Sequence, residues 1–179
     1  MLGIGDSRRF ICEGVKALQG KSSVDARLEL EAVMNEYSDM VYRIALTRLK
    51  NVQDAEDAYQ ETFLTYFRKG KRFSDETHRK AWLIRVTLNV CRRELALRAR
   101  RPQLSLGEAD AAVEQSFADP VVFAVMELPE SLRTPIVLHY FEGLSAKEIA
   151  PILRTSEAAV FMRLSRARAM LKEKLETEV

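Results

Sequence analysis

Apolar positions recur at three- and four-residue steps through most of the chain, the spacing of a single buried face on an α-helix. From Asp25 onward, Leu30, Val33, Met34, Tyr37, Val41, Ile44, Ala45 and Leu49 keep this period, and Asn51 is placed to end the helix they predict. Asp54 is a candidate N-cap for the next helix, with Asp57 complementing its dipole. Along that helix Ala58, Tyr59, Thr62, Phe63, Tyr66 and Phe67 form a wide aromatic stripe that reads as core. Lys69 to His78 is a polar loop containing Gly70. Thr77 is a candidate cap for a third helix that carries Ala81, Trp82, Ile84, Arg85, Leu88, Asn89 and Arg92. That helix runs to about Arg100, short of Pro102. At Trp82, core packing is favoured over stacking on a ligand.

The period fades between Gln103 and Ala118, an acidic stretch rich in small residues that reads as a linker. It resumes after Asp119-Pro120, a cap followed by proline at the first helical position. A helix over Val121–Leu128 is predicted, then, past Pro129, a helix carrying Leu132, Ile136, Val137, Tyr140 and Phe141 that Glu142-Gly143 closes. Ser145 to Glu148 is a capping box opening a short helix, Ala146 to Leu153. A tight turn at Arg154-Thr155 leads to Ser156, a further cap, and to a last helix ending near Glu176 that buries Val160, Leu164, Ala167 and Leu171. No segment alternates with period two for long enough to predict a strand. The expected fold class is therefore all-α, with two small helical domains (25–101 and 119–179) joined by a flexible acidic linker (102–118). Residues 1–24 form an N-terminal extension with at most a short helix around Phe10–Leu18.

Composition narrows the chemistry. The chain has 179 residues, of which 47% are hydrophobic, enough for compact cores. No apolar run approaches the ~18 residues of a membrane span. Arg8 and Arg9 interrupt the place where a secretory signal would need its apolar centre. Cys12 and Cys91 lie far apart, which argues against a disulfide framework and for a cytoplasmic setting. Together with His78 and His139 they leave too few ligands for a plausible zinc site. Gly14 to Ser22 (GVKALQGKS) superficially resembles a phosphate-binding loop, but Val15 stands where its first glycine must be. No nucleophile–base pair or paired catalytic carboxylates are placed by a motif, so no cofactor, no metal and no enzymatic activity are expected.

Charge changes the picture more. The net charge of +2 conceals an alternation: residues 25–65 carry −5, residues 66–101 carry +9, residues 103–130 carry −6 and residues 154–174 carry +4. Two basic blocks on predicted helices suggest two polyanion-binding surfaces. The second block belongs to a short helix, tight turn and longer basic helix, the pattern of a helix-turn-helix. Its second helix would face DNA with Phe161, Met162, Ser165 and Arg166, while Arg163 and Arg168 flank that face and reach phosphates. Arg166 is the candidate for a bidentate guanine contact.

Three motifs stand in order: DAED-x-x-QETF (54–63), WL-x-R-x-x-x-N (82–89) and LS-x-x-EIA (144–150), the last followed by RLSRAR (163–168). In this spacing the chain resembles the extracytoplasmic-function (ECF, group 4) sigma factors of the sigma-70 family. Residues 27–101 are similar to their region 2 and residues 119–175 to their region 4. The resemblance implies a promoter-specificity subunit that binds bacterial RNA polymerase core and promoter DNA and helps to open the duplex, with an anti-sigma factor as a further partner it allows. Asp57, Gln60, Glu61 and Phe63 match the face that docks on core polymerase. Phe73, Ser74 and His78 match the pocket for an extruded base of the −10 element, and Arg79, Lys80, Arg85, Asn89, Arg92 and Arg93 the residues that hold its strand. Phe161, Met162, Arg163, Ser165, Arg166 and Arg168 match the −35 reader, and the acidic linker the segment threaded through the polymerase cleft.

Several features depart from that pattern. Pro151 is expected to shorten or bend the first helix of the helix-turn-helix. Arg154-Thr155 stands where relatives commonly place glycine. Phe161 and Met162 occupy positions where relatives carry polar or basic groups, which suggests apolar contact with thymine methyls. The alternative reading is a stand-alone helix-turn-helix regulator, which would account for residues 119–179 and leave DAEDAYQETF unexplained. A second alternative is an interaction protein that binds polymerase without recognising promoters.

Overall fold

The computed structural model describes residues 22–69, 73–100 and 120–177. They fall into two compact units, one on each side of the stretch 101–119, and no strand occurs among them. The helix expected near Phe10–Leu18 and the linker 102–118 lie outside the described residues.

The first unit contains α1 (Ser22–Leu49), α2 (Val52–Lys69) and α3 (Glu76–Arg98), and each helix packs on both others. The apolar period of α1 is the buried one, from Leu30 through Val41 to Leu49. It meets Ala55, Ala58, Tyr59 and Phe63 of α2 and Leu83, Ile84, Val90 and Cys91 of α3. Four of the hydroxyls inside this core are paired. Thr62 donates to the Ala58 carbonyl (2.8 Å) and Thr87 to that of Leu83 (2.9 Å). Ser38 donates to the Met34 carbonyl, so its oxygen accepts from the Tyr59 hydroxyl at 2.8 Å and fastens α1 to α2.

The α1–α2 connection turns at Lys50, whose φ of +52° is left-handed, and Asn51 Oδ1 then accepts from the Asp54 N–H (2.8 Å). Asn51 therefore caps α2, and Asp54, the expected cap, lies in the first turn. The cap of α3 likewise moves from Thr77 to Asp75, whose carboxylate accepts from the His78 N–H at 2.8 Å. In both places several short polar residues compete; at α3 the one that wins, Asp75, is where the entering chain is extended.

The second unit contains α4 (Pro120–Glu127), α5 (Glu130–Ile136), α6 (Ala146–Leu153) and α7 (Glu157–Thr177). Proline opens α4, as its missing N–H predicts. The other end of α4 is held by Arg133, which is buried (6% exposed) and donates through Nη1 to the Met126 carbonyl at 2.6 Å. A cation at a helix C-terminus is favourable, the more so away from water. Glu127 pairs with Lys174 of α7. Beyond Pro135, α5 widens into a π-helical turn, Val137–Phe141, closed by Gly143 at φ +70°. His139 Nδ1–H donates to the Leu144 carbonyl (2.7 Å) and fixes the path into α6.

The Ser145–Glu148 capping box forms as expected, with the Ser145 N–H donating to Glu148 Oε2 at 2.9 Å. Pro151 does not shorten α6, which keeps all eight residues, Ala146–Leu153. The N–H that proline lacks would have bonded the Lys147 carbonyl, and both residues are exposed, which leaves that oxygen on the solvent side of the helix. Arg154 then turns the chain at φ +53°, doing without glycine what glycine does at no steric cost. Ser156 caps α7 by accepting from the Ala159 N–H (3.1 Å). Val160, Leu164 and Ala167 are buried against α4, α5 and α6, while Leu171 is only half-buried.

Candidate nucleic-acid and partner interfaces

On α2 the positions i, i+3 and i+4 put Asp57, Gln60 and Glu61 on one face. Asp57 is exposed and the other two are half-buried, with Glu61 3.8 Å from Arg68. Phe63 does not join them. It is 0% exposed, its ring edge-on to Tyr59 at 4.9 Å, so it holds α2 against the core and offers no surface to a partner. An aromatic at that step of the helix turns inward because the stripe of Ala55, Ala58, Tyr59 and Thr62 is the one the other helices cover.

The start of α3 carries a second constellation. Phe73 is half-buried between the rings of Tyr66 (6.0 Å, stacked) and Trp82 (5.5 Å, edge-on), with the Arg79 guanidinium 6.0 Å above it. Trp82 also meets Tyr66 edge-on, which is the packing role expected of it. Tyr66 was legible only as core; it proves to be the platform of Phe73. Its hydroxyl donates to Glu29 at 2.8 Å, and burial first, then that carboxylate, pushes the phenol up to about 12. Ser74, Asp75 and His78 form one exposed cluster: His78 Nδ1–H donates to Asp75 Oδ2 at 2.6 Å, and Ser74 Oγ lies 2.9 Å from the same nitrogen. The His78 N–H, then its ring, hold the Asp75 carboxyl below its ordinary value.

Further along α3, Arg85, Asn89, Arg92 and Arg93 are all exposed at helical spacing and form one cationic stripe. Arg92 Nη2 donates to Asn89 Oδ1 (2.9 Å), and Arg93 pairs with the neighbouring Glu94 (3.3 Å). Arg79 lies at the edge of this stripe. Lys80 does not belong to it: four, seven and eleven residues before Ile84, Thr87 and Cys91, it falls on the core side and is half-buried.

In the second unit, α6, the Arg154 turn and α7 make the expected helix-turn-helix. Phe161 and Met162 are each 56% exposed, and Ser165 and Arg166 are exposed beside them, opposite Val160, Leu164 and Ala167. At ~100° per residue, Arg163 and Arg168 fall on opposite edges of this face. The four faces thus comprise an acidic one, an aromatic one with a capped loop, a cationic stripe and a basic-edged recognition helix.

Comparison with known proteins gives the same division. Residues 33–101 match Sigma-70 region 2 and residues 119–171 match Sigma-70 region 4. The ECF RNA polymerase sigma-E factor of Salmonella typhimurium is 30% identical over 144 residues, covering 69% of this chain and 74% of that protein. This chain is an ECF sigma factor of the sigma-70 family. The RNA polymerase sigma-H factor of Pseudomonas aeruginosa is 26% identical over 160 residues, covering 79% of this chain and 83% of that one. In fold, this sigma factor is similar to CnrH, solved with the cytosolic domain of CnrY (TM-score 0.64, 22% identity, 97% of this chain and 99% of that one). It is also similar to the sigma factor RpoE of Bartonella quintana, solved with the anti-sigma factor NepR (TM-score 0.66, 21% identity, 84% and 99%). The protein is accordingly a promoter-specificity subunit of RNA polymerase, a role in which the subunit chooses the start site and the polymerase core performs the chemistry. A stand-alone regulator would leave the region 2 match unexplained. No helix among the described residues is long and apolar enough to cross a membrane.

Proposed function

We propose that the sigma factor divides its work by face. Asp57, Gln60 and Glu61 dock on core polymerase, with Phe63 bracing the helix beneath them. An acidic face beside a packed helix suits a basic partner surface, where complementarity sets orientation and encounter rate. Phe73, Ser74 and His78 receive an unpaired base of the −10 element, Tyr66 and Trp82 backing the aromatic ring. Arg79, Arg85, Asn89, Arg92 and Arg93 hold the displaced strand through its phosphates, as cationic grooves beside stacking rings do for single strands. Lys80 contributes field rather than contact.

Region 4 lays α7 in the major groove of the −35 element, Arg166 toward a base edge and Arg163 and Arg168 toward phosphates. Residues 25–101 and 119–179 act as the two domains, and the acidic stretch 102–118 follows the basic channel of the polymerase between them. The protein works in the cytoplasm, where the polymerase is. An anti-sigma factor is a fitting regulator, since the relative from Bartonella quintana is bound by one.

The observation that carries this reading is that one three-helix unit presents an acidic face on α2 and a cationic stripe on α3. A protein that bound only DNA would gain nothing from the first. The test is binding of purified bacterial core polymerase to the wild type and to Asp57→Ala/Gln60→Ala/Glu61→Ala. Saturable binding by the wild type and its loss in the triple variant support the docking face. Equal binding by both moves the interface elsewhere, and nanomolar duplex binding by the free chain without any polymerase binding would restore the stand-alone regulator.

A further inference from the structure

The recognition face of α7 is unusual in its centre. A helix that meets DNA is expected to present donors there, yet Phe161 and Met162 are the most exposed large apolar side chains on this helix. They stand at the fifth and sixth positions after the Ser156 cap, in the half of the helix that enters the groove. Ala158, Ser165 and Ala169, all exposed on the same face, are small enough to let the helix axis come close. The edges carry Arg163 and Arg168, so the apolar centre is framed by cations. That charge frame fits a polyanion, and the helix-turn-helix geometry of α6 and α7 commits the occupant to duplex DNA.

In the major groove the largest apolar group is the C5-methyl of thymine; cytosine shows only a C5–H there, beside its amino donor, and the purines show donors and acceptors. A phenyl ring or thioether laid on an adenine or cytosine amino group would strip its water and return no hydrogen bond. Laid on a thymine methyl, it buries apolar surface on both sides. The exposed face from Phe161 to Arg166 spans roughly 7.5 Å of helix axis at 1.5 Å per residue, about two base-pair steps.

We infer that Phe161 and Met162 are specificity determinants that read thymine methyls, selecting two thymines next to the guanine contacted by Arg166, within about three or four base pairs of the −35 element. This rests on the reading of α6–α7 as the −35 reader. Each methyl carries about 0.8 kcal/mol of burial, equivalent to roughly a fourfold change in affinity.

The experiment uses holoenzyme reconstituted from the full chain and bacterial core polymerase. Random sequence is placed at the −35 element, the bound sites are selected, and each selected thymine is then replaced singly by deoxyuridine, which removes the methyl and leaves the hydrogen-bonding edge unchanged. Thymine enrichment at adjacent positions and a roughly fourfold loss per uracil support the inference. It is sharpened if Phe161→Ala and Met162→Ala each abolish the thymine–uracil difference at one position; neither side chain is buried, so neither change threatens the fold. A selected element without thymine enrichment, or uracil replacement without effect, overturns it while leaving region 4 as a DNA reader. Promoter binding with no selected −35 sequence at all withdraws both readings. If the alanine variants keep the full thymine preference, the methyls are read by other residues and the assignment fails.

Discussion

Each unit has a phenylalanine on one of its long helices, and the two have opposite surroundings. Phe63 in α2 is sealed inside the first unit, while Phe161 in α7 stands in the open. The difference follows from the number of covering helices. α2 is packed by α1 and α3 along its aromatic stripe, so its apolar side chains are consumed by the core and its acids are left outside. α7 is covered on one side only by α4, α5 and α6, so a second apolar pair on its far side has no partner within the unit. In the first unit the α2 face left exposed is a charged one; in the second the exposed face of α7 has an apolar pair at its centre. The same residue type is core in one place and surface in the other.

The largest effect that could break this contrast is on stability. Phe63→Ala is expected to cost about 3–5 kcal/mol in urea unfolding, as a fully buried ring leaves a cavity. Phe161→Ala should stay within about 0.5 kcal/mol of wild type, as exposed substitutions do. Equal effects would mean that α7 packs on something in the folded chain.

The next effect separates the cationic stripe from the recognition helix. In holoenzyme, Arg166→Ala should lose roughly 1–3 kcal/mol of promoter affinity and relax preference at one base pair. Arg92→Ala should weaken all sequences alike and reduce the salt dependence of binding by about one phosphate contact. The reverse pattern would exchange the roles of the two surfaces.

A smaller change tests the turn. Arg154 holds a left-handed conformation that disfavours side chains, so Arg154→Gly is expected to raise stability by about 0.5–1 kcal/mol, read as an increase in denaturation midpoint. A loss would show that the Arg154 side chain contributes more than its backbone strain removes.

The smallest effect concerns the Asp75 cap of α3. Its carboxyl lies below the ordinary 3.8 because the His78 N–H and ring stabilise the ionised form. A group so lowered supports the fold above its unfolded value, and the support is lost as pH falls through the lower folded value. The His78 amide shift followed by NMR should therefore titrate with a midpoint under 3.8. A midpoint at or above that value would mean the cap is not formed in solution.

Much of this was legible beforehand. The buried faces of α1 and α2, the capping box at Ser145 and the span of α6 follow from period and cap chemistry, because both are set by residues within one or two turns. The caps of α2 and α3 were displaced by two or three residues, since Asn51 and Asp54, or Asp75 and Thr77, are chemically near-equivalent and the choice falls to the direction of the incoming chain. Tyr66 as the platform of Phe73 had no local signal, because the stacking joins a residue of α2 to one that precedes α3 and shares no helical period with it. Arg133 reads as a surface charge until α4 is docked against it.

The sequence by itself determined the helices, the division into two units, the alternation of charge and the motifs that carry the resemblance to the sigma-70 family, all of which are set by residues close together along the chain. Only the tertiary structure decided which residues of each motif face outward. Phe63 is sealed in the core and Lys80 lies off the cationic stripe, whereas Phe161 and Met162 are exposed on the outer face of α7. The physical reason is that a helical period marks an apolar stripe, while exposure depends on how many neighbouring helices there are to cover it.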